Sequence, residues 1–427
     1  MAAQQTNWAG NVRFAARALH RPATPEQLRE IVAGSDRVRV LGSGHSFNRI
    51  ADTTGDLVSL DDLPRTAEVD SAAGTVRVGA ATRFAELCPV LRRHGLALPN
   101  LPSTPHFTLA GAYATGTHGS GDTGGTLAAA VRSVELVTAD GRETVLTRGD
   151  DDFEGAVVSL GSLGVVTALT VETCPAFEVE QHVHEGLPWE VLTERPQEVL
   201  EAAYSVSVFT DWADSVRVWV KRRAGDPLPD LAAAGARRAD GPRHPIEGMP
   251  TGNATEQLGV PGPWDERLPH FRAGFMPSAG DELQSEYFVP RPAAGGAVAA
   301  LRELGPLLAP VLQVSEIRTV AADPHWLSPA HGRDSVAFHF TWTSDSRAVA
   351  PVLLRVEEAL APFGARPHWG KLSSTDPRVL RASYRHWEDF RGLMRRYDPS
   401  GTFRNALVDH WFAAGEDGGR EAVRAGD

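Results

Sequence analysis

A short β-branched segment that ends in two glycines constrains the fold of this chain more than any other feature. Residues 38–48 read Val-Arg-Val-Leu-Gly-Ser-Gly-His-Ser-Phe-Asn. The first residues predict a strand, and Gly42 and Gly44 let the backbone after it turn tightly and approach a ligand's phosphates. His45 follows at once, so we expect its side chain at the edge of the same ligand.

Two familiar glycine motifs do not match this segment. A dinucleotide-binding Rossmann fingerprint needs a third glycine three residues after Gly44, where Phe47 stands. A nucleophile elbow needs Gly-x-Ser-x-Gly, and Asn48 takes the last of those positions. A glycine turn that carries an exposed histidine is the plain alternative, because a lone glycine motif is weak evidence for a site.

A second glycine-rich segment, residues 103–121, favours ligand binding. It is dense in Gly, Ala, Ser and Thr, a composition that neither packs a core nor makes a good amphipathic helix. It suits a backbone that surrounds a large polar ligand, with N–H and hydroxyl donors facing a pyrophosphate. A flexible linker is the alternative, although linkers rarely carry residues such as Phe107, Leu109 and Tyr113.

With these segments, the chain resembles the vanillyl-alcohol-oxidase-type flavoproteins, and among them the alditol (xylitol) oxidases and the sugar-lactone oxidases. Other matching segments follow in order along nearly the whole chain: residues 7–11, 161–166, 316–318, 368–371 and 398–405. Each is weak alone, and their order and spacing make the resemblance specific. It implies an α+β fold of two domains: a PCMH-type FAD-binding domain, and a substrate domain with a large antiparallel sheet backed by helices.

Composition fits a soluble globular protein and argues against several partners. The 427 residues carry a formal net charge of −12 with scattered basic residues, so we expect no nucleic-acid partner. Neither a secretory signal nor an apolar run of about 18 residues is visible, so we expect a cytoplasmic protein, away from membranes. We also expect a monomer, although the sequence says little about the oligomeric state. Cys88 and Cys174 fit no zinc or CxxC pattern, which indicates reduced thiols and no metal site.

The FAD-binding domain is placed at residues 12–176. Thr24 and Pro25 open a predicted helix in which Gln27 completes a capping box. Hydrophobic patterning predicts further strands at residues 57–60, 75–78 and 164–172, an amphipathic helix at 81–94, and a hairpin of 131–138 with 144–147.

The substrate domain is placed at residues 177–412, with a C-terminal segment that returns to the flavin, and residues 413–427 are predicted to be a disordered tail. Alternating patterns predict strands at residues 206–210, 216–220, 285–290, 314–320 and 336–343, backed by helices at 297–308 and 348–362. Residues 225–250 are rich in Pro, Ala, Arg and Gly, which predicts a surface excursion outside the core.

Polar residues on these apolar strands are candidate site residues. Glu316 and Arg318 share one face of their strand, although an exposed ion pair is the ordinary alternative. His339 and Thr341 lie opposite three aromatic residues, which predicts a lined cavity, although a single histidine there is often a satisfied core residue. Lys371 is either a surface charge or, from the resemblance, a residue that faces the flavin.

The resemblance assigns further roles position by position. His45 matches the histidine that carries FAD through a covalent bond to the flavin ring methyl. The cofactor-binding positions are Leu41, Gly42, Ser43, Gly44, His45, Ser46, Ser103, Thr108, Gly111, Ala112, Tyr113, Ala114, Val166 and His368. The polyol-binding positions are Ser103, Gln284, Glu316, Arg318, Thr341 and Lys371, with His339 in the same pocket.

The activity implied is oxidation of the terminal hydroxyl of a linear polyol, of the xylitol or sorbitol type, to the aldose, with dioxygen reduced to hydrogen peroxide. Arg318 and Lys371 are expected to lower the pKa of the hydroxyl and stabilise the alkoxide. Glu316 and His339 complete the expected catalytic group. The proton acceptor is either His339 or a water molecule held by the two cations.

Two alternatives stay open at this point. A sugar-1,4-lactone oxidase or dehydrogenase would use the same fold, and a non-catalytic flavin-binding protein would not need charged strand positions facing a pocket. Pro102 stands where the resemblance predicts a small residue before Ser103, near the flavin face that dioxygen must reach. Of the expected activity, the reaction of the reduced flavin with dioxygen is therefore the part that Pro102 is most expected to affect.

Overall fold

The computed structural model describes residues 5–275 and 280–412. The predicted disordered tail at 413–427 lies outside the described residues. Among the described residues, every helix is too short or too polar to cross a bilayer. Cys88 and Cys174 are both free thiols, as predicted.

The chain begins with a small parallel sheet that positions the first glycine-rich loop. Its strands are β1 (Ala18–His20), β2 (Val38–Val40) and β3 (Asp56–Val58), in the order β1-β3-β2. Strand β2 confirms the predicted strand before Gly42. Leu28 and Val32 of helix α1 (Pro25–Ala33) are fully buried in the same hydrophobic cluster as β2 and β3.

Helix α1 is capped as predicted at Thr24, but its capping box is incomplete. The Thr24 hydroxyl accepts a hydrogen bond from the N–H of Gln27 at 3.3 Å. The Gln27 side chain reaches one residue further and accepts from the N–H of Ala23 at 2.8 Å, instead of returning to Thr24.

A second sheet of five antiparallel strands follows, with three helices around it. Its strands are β4 (Ala67–Asp70), β5 (Thr75–Gly79), β7 (Val131–Val137), β8 (Glu143–Thr147) and β9 (Val165–Glu172). Two short strands, β6 (Leu96–Ala97) and β10 (Cys174–Pro175), form a separate antiparallel pair. The sheet order is β4-β5-β9-β7-β8, and β7 with β8 confirms the predicted hairpin. The helices are α2 (Phe84–Arg93), α3 (Leu109–Ala114) and α4 (Phe153–Val157).

Helix α2 starts later than the sequence predicts. The pattern favoured a helix from residue 81, but the N–H of Thr82 donates to the carbonyl of Gly79 at 3.0 Å and closes a turn there. The helix therefore begins at Phe84.

The second half of the chain forms one large antiparallel sheet. Its strands are β11 (Glu178–Glu185), β12 (Ser205–Thr210), β13 (Val216–Arg223), β14 (Arg237–Arg238), β15 (Gly262–Pro263), β16 (Leu283–Pro290), β17 (Leu312–Val320), β18 (Ser335–Trp342) and β19 (Arg366–Pro367). Their order is β14-β11-β13-β12-β17-β18-β16-β19, and β15 pairs with β11. All five strands predicted for this half are confirmed.

Helices cover one face of the large sheet. They are α5 (Trp189–Glu194), α6 (Gln197–Leu200), α7 (Ala294–Glu303), α8 (Gly305–Leu308) and α9 (Ser346–Leu360). The fully buried Phe338, Phe340 and Trp342 of β18 belong to this core, as do residues of α7 and α9. The helix predicted at 297–308 is instead two helices, because Pro306 has no N–H to continue the hydrogen bonding of α7.

Residues 225–250 do not form the purely surface excursion that their composition predicts. Leu231, Ala236 and Ala239 are buried, and β14 pairs with β11 at the edge of the sheet. The carbonyls of His244 and Pro245 accept hydrogen bonds from the buried Arg217 at 2.9 and 3.0 Å. This segment packs because a few buried apolar side chains and the buried Arg217 cation anchor it to the sheet.

The C-terminal helices return to the first half of the chain. They are α10 (Pro377–Ser383), α11 (Trp387–Tyr397) and α12 (Ala406–Phe412). Leu380, Phe390 and Val408 share a hydrophobic core with Phe84 and Phe153. The exact division of the chain at residues 176 and 177 stays a prediction.

Candidate active site

One cavity brings the loops of the first half together with the polar face of the large sheet. Of the predicted site residues it is lined by Leu41, Gly42, Ser43, Gly44, His45, Ser46, Ser103, Thr108, Gly111, Ala112, Ala114, Val166, Gln284, Glu316, Arg318, His339, Thr341, His368 and Lys371. Pro102 lines it as well. Residues up to 330 positions apart in the sequence therefore meet around one space.

Tyr113 is the exception among the predicted cofactor-binding residues. Its side chain is buried in the core, with its ring edge-on to Phe84 at 6.0 Å between centroids. Ala112 and Ala114, on either side of it in α3, do line the cavity. The resemblance identified the helix but did not show which of its faces meets the ligand.

The ring of His45 is held between aromatic side chains. It stacks on Trp8 at 4.6 Å and meets Phe107 edge-on at 4.8 Å between centroids. Its Nδ1 lies 3.1 Å from the carbonyl oxygen of Ser43. Burial lowers the pKa of His45 to about 4, so the ring is neutral near pH 7 and keeps a nitrogen lone pair.

The loop before His45 fits a bulky polar cofactor. A Cβ on Gly42 would lie 2.5 Å from the hydroxyl of Thr108, so only glycine lets the two segments approach this closely. Gly44 has a φ of +71°, which favours glycine. The buried Arg39 donates to the carbonyls of Leu160, Gly161 and Phe403 at 2.8–3.0 Å and fixes the loops around the same space.

The strand register explains how the sheet contributes. Glu286 of β16 and Glu316 of β17 both pair with His339 of β18, which lies between them. Arg318 follows Glu316 on the same face, as predicted. Glu316 and Arg318 are only 3% and 4% exposed, so the alternative of an exposed ion pair is wrong.

Glu286 is the centre of the charged cluster, and the sequence did not identify it as a site residue. Its carboxylate accepts from Arg318 Nη2 at 2.5 Å, from Lys371 Nζ at 2.7 Å, and lies 3.0 Å from His118 Nε2. Burial alone would raise the pKa of Glu286, but Lys371 and Arg318 hold it well below its usual range. Two carboxylates, Glu286 and Glu316, therefore balance the two cations.

Lys371 is not a surface charge. Its side chain is 14% exposed, and its ammonium contacts His339 Nδ1 at 2.8 Å as well as Glu286. The Asn48 side chain donates to the carbonyls of Trp369 and Lys371 at 2.8 and 2.9 Å. The first glycine-rich loop thus holds the lysine loop against the cavity.

His339 is neutral in this arrangement. Burial, and then the Lys371 ammonium, hold the pKa of His339 well below its usual range. Its Nε2 lies 3.1 Å from the Thr341 hydroxyl. The two polar residues predicted to share a face therefore interact directly within the cavity wall.

Two predicted substrate-binding residues lie at the edge of the charged cluster. Arg318 Nη1 donates to the Ser103 hydroxyl at 3.1 Å. The Gln284 side chain donates to Glu282, and Gln284 pairs with Thr341 in the sheet. These contacts extend the polar face of the cavity from the two cations toward the edge of the sheet.

Further polar residues that the sequence did not indicate as site residues also line the cavity, among them His118, His270 and Glu286. Glu286 follows Gln284 on the same strand face, so its spacing could have revealed it. His118 stands in the second glycine-rich segment, where no periodicity ranks one residue above another. His270 lies in an irregular segment and carried no comparable signal.

Comparisons with known proteins agree with this geometry. The FAD binding domain family matches residues 16–147, and the D-arabinono-1,4-lactone oxidase family matches residues 282–411. An alditol oxidase from a Streptomyces species is 54% identical over 96% of this chain and 99% of its own length. The chain belongs to the alditol oxidase family.

More distant relatives place this family member among the FAD-binding oxidoreductases. An L-gulono-1,4-lactone dehydrogenase from Mycobacterium tuberculosis is 30% identical over 94% of this chain and 97% of its own length. The crystal structure of a cholesterol oxidase from B. sterolicum aligns with a TM-score of 0.77 over 96% of both chains at 14% identity. Together with the FAD binding domain match, that likeness confirms the predicted α+β fold with its FAD-binding domain and large antiparallel sheet.

The two family matches also divide the cavity of this alditol oxidase family member. His45, Thr108 and Gly111 lie within the FAD-binding match, whereas Gln284 and Lys371 lie within the second match. Each match therefore supplies one side of the same space. The family matches confirm FAD as the cofactor, whereas the contacts of individual residues with FAD stay predictions.

Proposed function

We propose that the protein oxidises the terminal hydroxyl of a linear polyol to the aldose. The observation that carries this proposal is the cluster of two cations and a row of polar side chains in one cavity with His45. Bound FAD would supply the hydride acceptor for the reacting carbon and the route for the two electrons to dioxygen, with hydrogen peroxide as the second product. The strong similarity to an alditol oxidase supports the same reaction.

Arg318 and Lys371 are proposed to bind the reacting hydroxyl. Both are buried charges whose positions are fixed by Glu286, at 2.5 and 2.7 Å, so they need not reorganise when negative charge develops on the substrate oxygen. Glu286 also keeps the cluster near electrical balance. We propose that it orients the cations and does not touch the substrate.

We propose His339 as the proton acceptor in preference to a water molecule. Its ring is neutral, and its Nδ1 faces the Lys371 ammonium at 2.8 Å. A substrate hydroxyl placed between these two groups would accept a hydrogen bond from Lys371 Nζ and donate one to His339 Nδ1. These two bonds would replace the direct bond between Lys371 and His339. The proton then moves to His339 while the hydride leaves the adjacent carbon, which balances the oxidation of the alcohol.

Covalent attachment of FAD at His45 is proposed from its neutral, immobilised ring and from the motif. After acid denaturation, the precipitated protein should stay yellow and its band on a denaturing gel should fluoresce. His45→Ala should release all colour into the supernatant and slow flavin reduction. His106→Ala is the matched control, since His106 is nearby but is not one of the residues that line the cavity. Colour released from the parent protein would contradict the linkage.

Dioxygen is proposed as the electron acceptor despite Pro102. The proline ring is compact and rigid, so it can leave a path over the flavin open without a mobile side chain to block it. We expect the reduced enzyme to recover its oxidised spectrum rapidly in aerated buffer in stopped-flow measurements, and Pro102→Ala to behave similarly. Recovery only with an artificial dye would make the protein a dehydrogenase.

A sugar-1,4-lactone oxidase or dehydrogenase is the second candidate, because residues 282–411 match that family. A peroxide-coupled assay over polyols, aldonolactones and aldoses separates the two. Turnover of xylitol or sorbitol with no turnover of lactones supports the proposal, and the reverse pattern contradicts it. The cytoplasmic location and the monomeric state predicted from the sequence stay predictions.

A further inference from the structure

The chain contains only two lysines, Lys221 and Lys371, beside 40 arginines. Both lie in the half of the molecule that forms the large sheet, where Lys221 is 1% exposed and the Lys371 side chain is 14% exposed. Each contacts the Nδ1 of a histidine that lines the cavity, His339 for Lys371 and His270 for Lys221. Lys371 belongs to the site already described, whereas Lys221 has no role in it.

Lys221 lies on β13, behind the residues that line the cavity. Its ammonium reaches the carbonyls of Leu268 at 2.5 Å and Pro269 at 3.2 Å, and His270 Nδ1 at 3.1 Å. Burial lowers the pKa of Lys221 to about 7, so at pH 6 the group is an ammonium, and these three acceptors match its three N–H bonds. A planar guanidinium cannot direct its donors at three acceptors gathered around one point, which explains a lysine here in a chain that otherwise uses arginine.

The contact with Lys221 determines which nitrogen of His270 carries hydrogen. Burial lowers the pKa of His270 to about 4, so its ring is neutral. With the Lys221 ammonium as donor, Nδ1 accepts and the hydrogen of the ring is on Nε2. Nε2 lies 2.7 Å from Glu316 Oε1, where an N–H donor is required. The rings of Phe209 and Trp219 meet His270 edge-on at 5.2 and 5.5 Å and hold its plane.

Glu316 is thereby held at both oxygens. Oε1 accepts from His270, and Oε2 lies 3.5 Å from Arg318 Nε. Burial alone would raise the pKa of Glu316, but Arg318 and then His270 hold it below its usual range. If His270 carried its hydrogen on Nδ1, its Nε2 lone pair would face the carboxylate, and Glu316 would lose its fixed orientation.

We propose that Lys221 is a positioning residue, which fixes the Nε2-protonated tautomer of His270 and through it orients Glu316 toward the substrate hydroxyls. The tautomer follows from contacts within the protein alone. The kinetic consequence rests on the proposed polyol oxidation. The two parts are therefore tested separately.

The parent enzyme supplies the first test. In holoenzyme labelled with ¹⁵N-histidine at pH 6, the His270 signals should show a protonated Nε2 and an unprotonated Nδ1 that accepts a hydrogen bond. His270→Gln assigns the signals by their loss. A protonated Nδ1 with a free Nε2 would overturn the proposal without any variant of Lys221, and this measurement needs no substrate.

Lys221→Met supplies the second test, since methionine fills a similar volume without donors. We expect His270 to lose its single tautomer, and flavin reduction at saturating xylitol to slow by about 10–10²-fold, as for a misplaced substrate-binding group. Lys221→Gln keeps an N–H donor and should restore the tautomer and part of the rate. An Nε2-protonated ring together with the parent rate in Lys221→Met would overturn the proposal.

Arg217→Met is the matched control. Arg217 lies four residues before Lys221 on the same face of β13, is also buried, and also donates to two backbone carbonyls, but it contacts no histidine ring nitrogen. Its replacement should lower stability while the His270 tautomer stays as in the parent. If Arg217→Met shifts the tautomer as much as Lys221→Met does, the effect is general loosening and the proposal fails. A normal tautomer in a protein inactive on polyols would instead contradict the proposed function.

Discussion

Replacing Arg318 by alanine should lower the rate of flavin reduction by a polyol by about 10²–10³-fold, the usual cost of losing one preorganised charge at a reacting oxygen. Arg318 is 4% exposed, and its guanidinium lies between Ser103 and Glu286, at 3.1 and 2.5 Å. Anaerobic stopped-flow mixing with excess xylitol, followed at the flavin absorbance band, measures this step alone.

The fold should tolerate the loss of Arg318 better than catalysis does. Glu286 keeps Lys371 and His118 as partners, and Glu316 keeps His270. Neither carboxylate is left buried without a hydrogen bond, which is the situation that destabilises proteins most. One cation fewer then balances the two buried carboxylates, so the variant should unfold at a lower temperature than the parent, although still cooperatively.

Two comparison variants sharpen the result for Arg318. Arg318→Lys should recover only part of the rate, because one ammonium cannot reproduce the fork that reaches Ser103 and Glu286 together. Arg217→Ala removes a buried guanidinium that donates to two backbone carbonyls and does not line the cavity, and should reduce flavin at a rate far closer to the parent. Parent-like reduction in Arg318→Ala would exclude Arg318 from the site.

Residue spacing predicted the sheet face of the site because a strand has a period of two. Glu316 with Arg318, and His339 with Thr341, were placed on common faces from spacing alone, and both pairs line the cavity. The glycines before His45 were equally informative. A Cβ on Gly42 would meet Thr108, a contact between segments more than 60 residues apart.

The interactions within the cluster could not be predicted in the same way. Glu286 binds both cations because β16 and β17 flank β18, and this strand order leaves no trace in any single strand. His270 meets Glu316 from an irregular segment, where no periodicity orients side chains. Composition also misled at residues 225–250, since buried apolar side chains anchor a segment that is rich in Pro, Ala, Arg and Gly.

Polyol length and hydroxylation should dominate substrate selection. Ser103, Gln284, Glu316 and Thr341 line one cavity with the two cations, so several substrate hydroxyls can be bound together. A hydroxyl missing from the substrate leaves a buried polar group unpaired, at about 1–3 kcal/mol each. Glycerol has two hydroxyls fewer than xylitol, so its kcat/KM should be lower by about 30-fold to 10⁴-fold, at about 1.4 kcal/mol for each factor of ten.

Chain length and hydroxyl pairing can be separated with 1,5-pentanediol, which has the five carbons of xylitol without its three interior hydroxyls. If the polar row binds those hydroxyls, the diol should be turned over even less efficiently than glycerol, although it fills the cavity better. Glu316→Gln should narrow the gap between xylitol and the diol, because it removes the carboxylate that accepts from the substrate. Steady-state peroxide formation over the three substrates measures both effects. Equal kcat/KM for xylitol and the diol would show that length alone is recognised, and the polar row would then have no part in substrate binding.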